Sequence, residues 1–185
     1  MVNASKELDF LDSFVDGVHR SILGQCYREA SLSPDTSTQI GAVIVDTAGR
    51  VCHNTLSYNG FCYGWEPTQE DYERPRKYSV TEHAERRAIY RAAKYGIKLD
   101  GATLYSTWAA CTDCARAIVE SGIYKLVRHF PPHDETVDRW LESVSLGDEL
   151  MRAGNVQIID VHGSIPESFP ILRGGERFDP ALIME

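Results

Sequence analysis

The sequence predicts an α/β layered fold with a five-stranded mixed sheet, and three observations predict it. Short apolar runs alternate with segments of helical period through most of the 185 residues, the pattern of a sheet covered by helices. A tight turn at residues 47–50, with Gly49 at its left-handed position, joins the first two runs as antiparallel neighbours, which makes the sheet mixed. Length and composition, with 43% apolar and 25% charged residues, suit one domain that builds a core without disulfides.

Taken in order, residues 6–30 read as an amphipathic helix. Leu8, Leu11, Phe14, Val15, Val18, Ile22 and Leu23 recur at helical spacing. The polar run 31–37 is a loop into the sheet. Residues 40–46 are a buried strand, and 51–57 are its return partner. From Cys62 to Lys77 the chain is polar and aromatic, and Pro67 and Pro75 interrupt any helix. A long irregular stretch inside a domain is commonly functional, and this one is expected to cover a substrate. Residues 81–95 read as a helix capped by Thr81 and closed by Gly96. A strand follows at 102–107, a helix at 111–122, a strand at 124–130, a helix at 135–153 and a strand at 156–161. The tail beyond Gly163 shows no clear period. The expected organisation is one domain over 1–185, with a core at about 6–162 and a C-terminal extension at 163–185.

No apolar run approaches the ~20 residues that cross a bilayer, and the first residues lack an apolar signal core. A cytoplasmic protein is expected. Five cysteines is an odd count. Cys26, Cys52 and Cys62 are scattered and read as reduced thiols. The net charge of −8 argues against a broad nucleic-acid surface. The charge is uneven, however. Arg74, Arg76, Lys77, Arg86, Arg87, Arg91, Lys94 and Lys98 stand against only Glu82 and Glu85 in that window. A cationic island in an acidic protein suits a small anionic substrate, and a solvated helix face reads as well for any single residue.

The island surrounds the chemistry. His83-Ala84-Glu85 is followed by Cys111-Thr112-Asp113-Cys114. Two cysteines three apart at a helix start reach one metal ion, and His83 supplies a third donor. Three protein donors with a fourth position open is the arrangement of a catalytic rather than a structural zinc. Both helix starts are expected to favour thiolates at Cys111 and Cys114. Glu85 sits two residues from His83, placed to move protons without binding the metal. His-x-Glu with Cys-x-x-Cys is the signature of zinc-dependent nucleobase deaminases.

Those motifs, with Gly41-Ala42-Val43-Ile44-Val45, Tyr58-Asn59-Gly60, residues 77–85 and Gly101-Ala102-Thr103-Leu104-Tyr105, resemble the deoxycytidylate (dCMP) deaminase family of the cytidine deaminase superfamily. The resemblance runs from the first helix to about Ile159. It implies a three-layer α/β/α fold and hydrolysis of dCMP to dUMP and ammonia, supplying dUMP for thymidylate synthesis. It implies one catalytic Zn2+ on His83, Cys111 and Cys114, and Glu85 as the proton carrier between the activated water, ring N3 and the leaving amine. It also implies that the Ala84 backbone N–H holds the base and that Asn59 contacts sugar or base; taken alone, Asn59 reads equally as a turn residue. A homo-oligomer, commonly a hexamer, with dCTP activation and dTTP inhibition in the presence of Mg2+, belongs to the same inheritance. Lys77, Arg86, Arg87 and Arg91 are the phosphate candidates. Trp108 reads as a pocket wall or as core, and His133 is the histidine outside the motif nearest the expected pocket.

Three positions depart from the family pattern: Ala110 where proline usually precedes the first metal cysteine, Arg87 where asparagine is common, and Ser57 where glycine is common. The runner-up activity is deamination of another small cytosine-type substrate: a modified dCMP, a nucleoside or the free base. A nucleic-acid-editing deaminase and a non-catalytic zinc module are the remaining readings; Glu85 argues against the latter.

Overall fold

In the computed structural model, which describes residues 4–130 and 137–183, the sheet is built around β1 (Gly41–Val45), whose five residues are all buried. Side chains alternate across a strand, so Ala42 and Ile44 face one core and Val43 and Val45 the other. β2 (Ser57–Tyr58) pairs antiparallel with one edge of β1, and β5 (Thr103–Ser106) antiparallel with the other. β6 (Lys125–His129) and β7 (Gln157–Val161) extend the sheet in parallel, giving the order β2-β1-β5-β6-β7. The mixed five-stranded sheet is as expected.

One strand is shorter than its apolar pattern suggested. Residues 51–57 do not run as a return strand: Val51 makes a single bridge to Val45, a 3-10 turn occupies His53–Thr55, and pairing resumes only at Ser57. The Cys52 carbonyl accepts from both the Thr55 amide and its hydroxyl, closing a local turn that competes with the ladder. The turn before it is as read, with Gly49 at φ 77°.

Helices cover both faces. α3 (Ala84–Tyr95), α4 (Thr112–Glu120) and α5 (Val137–Ala153) pack over Ala42, Ile44, Leu104 and Leu126. α1 (Ala4–Ala30) covers Val43, Val45, Tyr105 and Val127 from the other side. A Cβ on Gly41 would lie 1.9 Å from the Cys26 carbonyl oxygen, so α1 can lie this close to β1 only because that residue is glycine. The apolar stripe of α1 is split: Ile22 and Leu23 are buried, whereas Phe14, Val15 and Val18 are exposed and find no cover among the described residues. The side chains of Leu8 and Leu11, and His133, lie outside the described residues.

Residues beyond Gly163 are ordered into a hairpin, β8 (Ile171–Arg173) with β9 (Glu176–Phe178), turned by Gly174 and Gly175 at positive φ. Ile165 and Ile171 join the core under α1, and the Gln39 amide donates to the Leu172 carbonyl. Strands of three residues are too short to show a period, which is why the tail read as patternless.

Candidate active site

The two metal-motif segments are built alike. Each leaves extended backbone, holds one residue as an N-cap and then enters a helix. His83 caps α3 at φ −75°, ψ 150°, and Cys111 caps α4 at φ −71°, ψ 170°. Their carbonyls accept the first helical bonds, from Arg87 and Ala115. The first helix therefore starts three residues later than expected. Thr81–Glu82 form a strand, β4, paired with β3 (Gly60–Phe61), and Thr81 is the C-cap of the one-turn helix α2 (Lys77–Val80). The ladder bonds to β3 hold Thr81 extended, so the cap falls on His83.

The caps converge. His83 Nδ1 lies 3.4 Å from each of the Cys111 and Cys114 sulfurs, and the sulfurs are 3.6 Å apart. Zinc–sulfur bonds of about 2.3 Å and a zinc–nitrogen bond of about 2.0 Å at tetrahedral angles require edges of about 3.8 and 3.5 Å. The three donors therefore fit a zinc ion, and among the described residues they are the one group of three so placed.

The electrostatics agree. The hydrogen bond between the two sulfurs and, after it, the His83 ring hold the Cys111 pKa down to about 3 against burial. Cys114 itself is pushed well up by the same hydrogen bond and by burial, contrary to the expectation that both thiols are acidified. Two thiolates this close ionise together only across a cation. For the His83 ring, burial opposes the charge, but the neighbouring Cys111 sulfur outweighs it and raises the pKa.

Glu85, 3% exposed, lies beside the donors. Its Oε1 accepts from the Ser106 hydroxyl at 3.1 Å, and its Oε2 is 3.6 Å from Cys114 Sγ. Burial raises its pKa, as expected for a carboxyl group that must take up and release a proton near neutrality. Sequence reasoning missed Ser106; the only signal was a polar residue at the end of a buried strand.

A cleft of about 780 Å³, counting its open mouth, exposes this centre. His83, Ala84, Glu85 and Cys111 line it together with Trp108 and Asn59, so every proposed site residue except Cys114 lines the same cleft. The Asn59 amide is saturated: Oδ1 accepts from the Ile40 amide and Ser33 hydroxyl, and Nδ2 donates to the Thr38 carbonyl and Asp35. It pins the 33–40 segment that forms part of the rim. Trp140 of α5 also lines the cleft, edge-on to the His83 ring at 6.2 Å. The sequence showed it only as one apolar position of a helix.

The phosphate candidates separate. Arg86 pairs with Glu82 at 2.7 Å; Arg87 donates to the Gly60 and Phe61 carbonyls; Arg91 donates to those of Asn54 and Leu56. None of these three lines the cleft, whereas Lys77 does.

The departures from the family pattern also acquire roles. Ser57 donates to the Ala84 carbonyl at 2.9 Å, and Arg87 ties β3 to α3, so both brace the start of the helix carrying Glu85. α5 passes close to the Ala110 carbonyl and bonds the helix start just after it. A Cβ on Gly147 would come within 3.0 Å of the Ala110 carbonyl oxygen, and Ser143 accepts from the Thr112 amide. The loop before α2 is anchored by buried Asp71. The Thr68 amide, and after it the Arg76 guanidinium, hold its carboxyl at a pKa of about 2.

Comparison with known proteins points the same way. The chain is 32% identical over 132 residues to an uncharacterized deaminase in the luxG 3′ region of Aliivibrio fischeri, covering 69% of this chain and 82% of that protein. It is 38% identical over 79 residues to the deoxycytidylate deaminase of Enterobacteria phage T4, covering 43% of this chain but spanning only 37% of the phage protein. In fold it is similar to the dCMP deaminase of cyanophage S-TIM5 solved in complex with dCMP and dUMP. The TM-score there is 0.54 at 17% identity, over 87% of this chain and 100% of that one. Residues 17–130, which hold all three metal donors and Glu85, match the family model for the cytidine and deoxycytidylate deaminase zinc-binding region, and the chain belongs to that family.

Proposed function

We propose that the protein catalyses zinc-dependent hydrolysis of dCMP to dUMP and ammonia. The observation that carries the proposal is a buried carboxyl group, Glu85, beside a three-donor metal centre at an open cleft.

Zinc held by His83, Cys111 and Cys114 supplies, when bound, a water acidified to a pKa of about 7. Glu85 takes that proton and passes it to ring N3 as C4 is attacked. It then takes the remaining proton from the hydroxyl now on C4 and delivers it to the departing amine, so that both protons of the water are accounted for. Ser106 fixes the carboxyl orientation through Oε1. Ala84 is the first residue of α3, so its N–H has no helical acceptor and is free to donate to the base. Asn59 serves the substrate by holding the rim, or by exchanging its 3.2 Å bond to Asp35 for a sugar hydroxyl.

With this reading go the finer expectations: a homo-oligomer, dCTP and dTTP effects that need Mg2+, and a cytoplasmic setting. No helix among the described residues is long and apolar enough to cross a membrane. Light scattering, and initial rates with each nucleotide with and without Mg2+, check the first two.

The decisive assay is ammonia release from dCMP, 5-substituted dCMP, dCTP, cytidine and cytosine. The proposal predicts the highest kcat/KM on dCMP. Preference for a nucleoside, the free base or a modified nucleotide would replace the substrate and keep the chemistry. Release from none of them would contradict the deaminase assignment.

A further inference from the structure

Among the described residues, two Lys or Arg side chains line the cleft, Arg74 and Lys77. They are not equivalent. The Lys77 ammonium lies 2.6 Å from Asp35, with both side chains largely buried, so its charge is neutralised within the wall. Arg74 has no carboxylate partner among the described residues. Its exposed guanidinium packs 5.9 Å over the Tyr78 ring. Tyr78 in turn meets Trp140 edge-on at 5.9 Å, and Trp140 meets His83 at 6.2 Å. One wall therefore runs from the metal imidazole through two aromatic rings to a guanidinium. A nucleotide lying along it with C4 at the metal donors carries its 5′-phosphate away from them, toward Arg74.

We propose that Arg74 is the residue that selects a 5′-phosphorylated substrate, while Lys77 is held by Asp35 as part of the wall. The proposal rests on the cytosine-nucleotide deamination argued above. The planar guanidinium fork matches a phosphate in two parallel hydrogen bonds, which an ammonium cannot reproduce. The sequence pointed to the cations nearest His83 in the chain. The structure turns to one nine residues upstream, because the others already have carbonyl or carboxylate partners.

The test is kcat/KM for dCMP and for deoxycytidine on the zinc-loaded enzyme, in wild type, Arg74→Ala and Arg74→Lys. Binding of dUMP and deoxyuridine is measured alongside, in case nucleoside turnover is too slow to follow. Arg74→Ala is expected to lower the ratio of dCMP to deoxycytidine efficiency by ~10- to 100-fold, mainly through KM. Arg74→Lys should restore part of that loss. Zinc content equal to wild type confirms that the centre is intact. An unchanged ratio, or equal losses on both substrates, overturns the role of Arg74 and leaves the deamination reading standing. A wild-type enzyme that turns over neither substrate overturns the reading itself, and the role of Arg74 with it.

Discussion

Asp71, in the loop before the active site, accepts hydrogen bonds from the Thr68 amide and hydroxyl, the Trp65 indole and the Arg76 guanidinium. Glu85, almost as well shielded from bulk water, has the Ser106 hydroxyl and the Cys114 thiol. The first carboxyl is held at a pKa of about 2, and burial pushes the second upward. A full set of donors lowers the first, and burial with few donors raises the second. Where the chain needs a fixed loop it surrounds the carboxylate with donors; where it needs a proton carrier it leaves the carboxyl short of them. The same contrast divides the sheet. On β6, Arg128 is clamped in two parallel bonds by Asp148 and in a third by Asp160, and its neighbour His129 is fully bonded. At the cleft the donor set is incomplete without a cation.

The largest effect should come from the incomplete side. Cys114→Ser removes one of three donors, and is expected to abolish stoichiometric zinc and bring dCMP turnover to background, read by metal analysis and ammonia release. A variant that keeps zinc and turnover would break the comparison at its first step.

The complete side should respond in stability alone. Arg128→Ala strands Asp148 without its bidentate partner and should cost about 3–5 kcal/mol in urea unfolding. kcat/KM per folded molecule should stay within about twofold of wild type. A large catalytic loss at unchanged stability would show that the clamp belongs to the chemistry.

His129 sharpens the same point through pH. Burial holds its pKa near 4, against an ordinary 6.5. The neutral ring donates from Nε2 to the Gly163 carbonyl and accepts from the Tyr27 hydroxyl at Nδ1. Between pH 6.5 and 4 the unfolded chain carries the proton that the folded one refuses, so stability falls as pH drops through that window, by up to about 3 kcal/mol. His129→Gln should flatten that part of the profile. A profile equally steep in the variant would place the titrating group elsewhere.

The smallest effect is expected at Ser106. Ser106→Ala removes the hydroxyl that orients Glu85 and should lower kcat by about tenfold or less, with zinc retained and KM little changed. Ser106→Thr, which keeps a hydroxyl, should recover most of it. Equal rates in all three would mean that the carboxyl is positioned by packing alone.

Much of this was legible in the chain, and the reasons are specific. His83, Glu85, Cys111 and Cys114 could be read because metal chemistry demands those residue types at fixed short spacings. The sheet could be read because its central strand, Gly41–Val45, is buried on both faces and so is apolar without interruption. What escaped depended on partners far away in sequence. Thr81 looked like a helix cap because nothing local shows that Gly60–Phe61 will pair with it. Trp140 looked like packing because two helices and two strands separate it in the chain from His83, which its ring meets. Arg87 and Arg91 looked like phosphate ligands because their acceptors are carbonyls, which every sequence has and none displays.

The most direct test of the central claim is Glu85→Gln, assayed for zinc content and dCMP turnover on the same preparation. Glutamine keeps the size and polarity of the side chain but does not carry the proton. The account predicts zinc at wild-type stoichiometry with kcat reduced by ~10²- to 10⁴-fold. Turnover at the wild-type rate with zinc in place would contradict it.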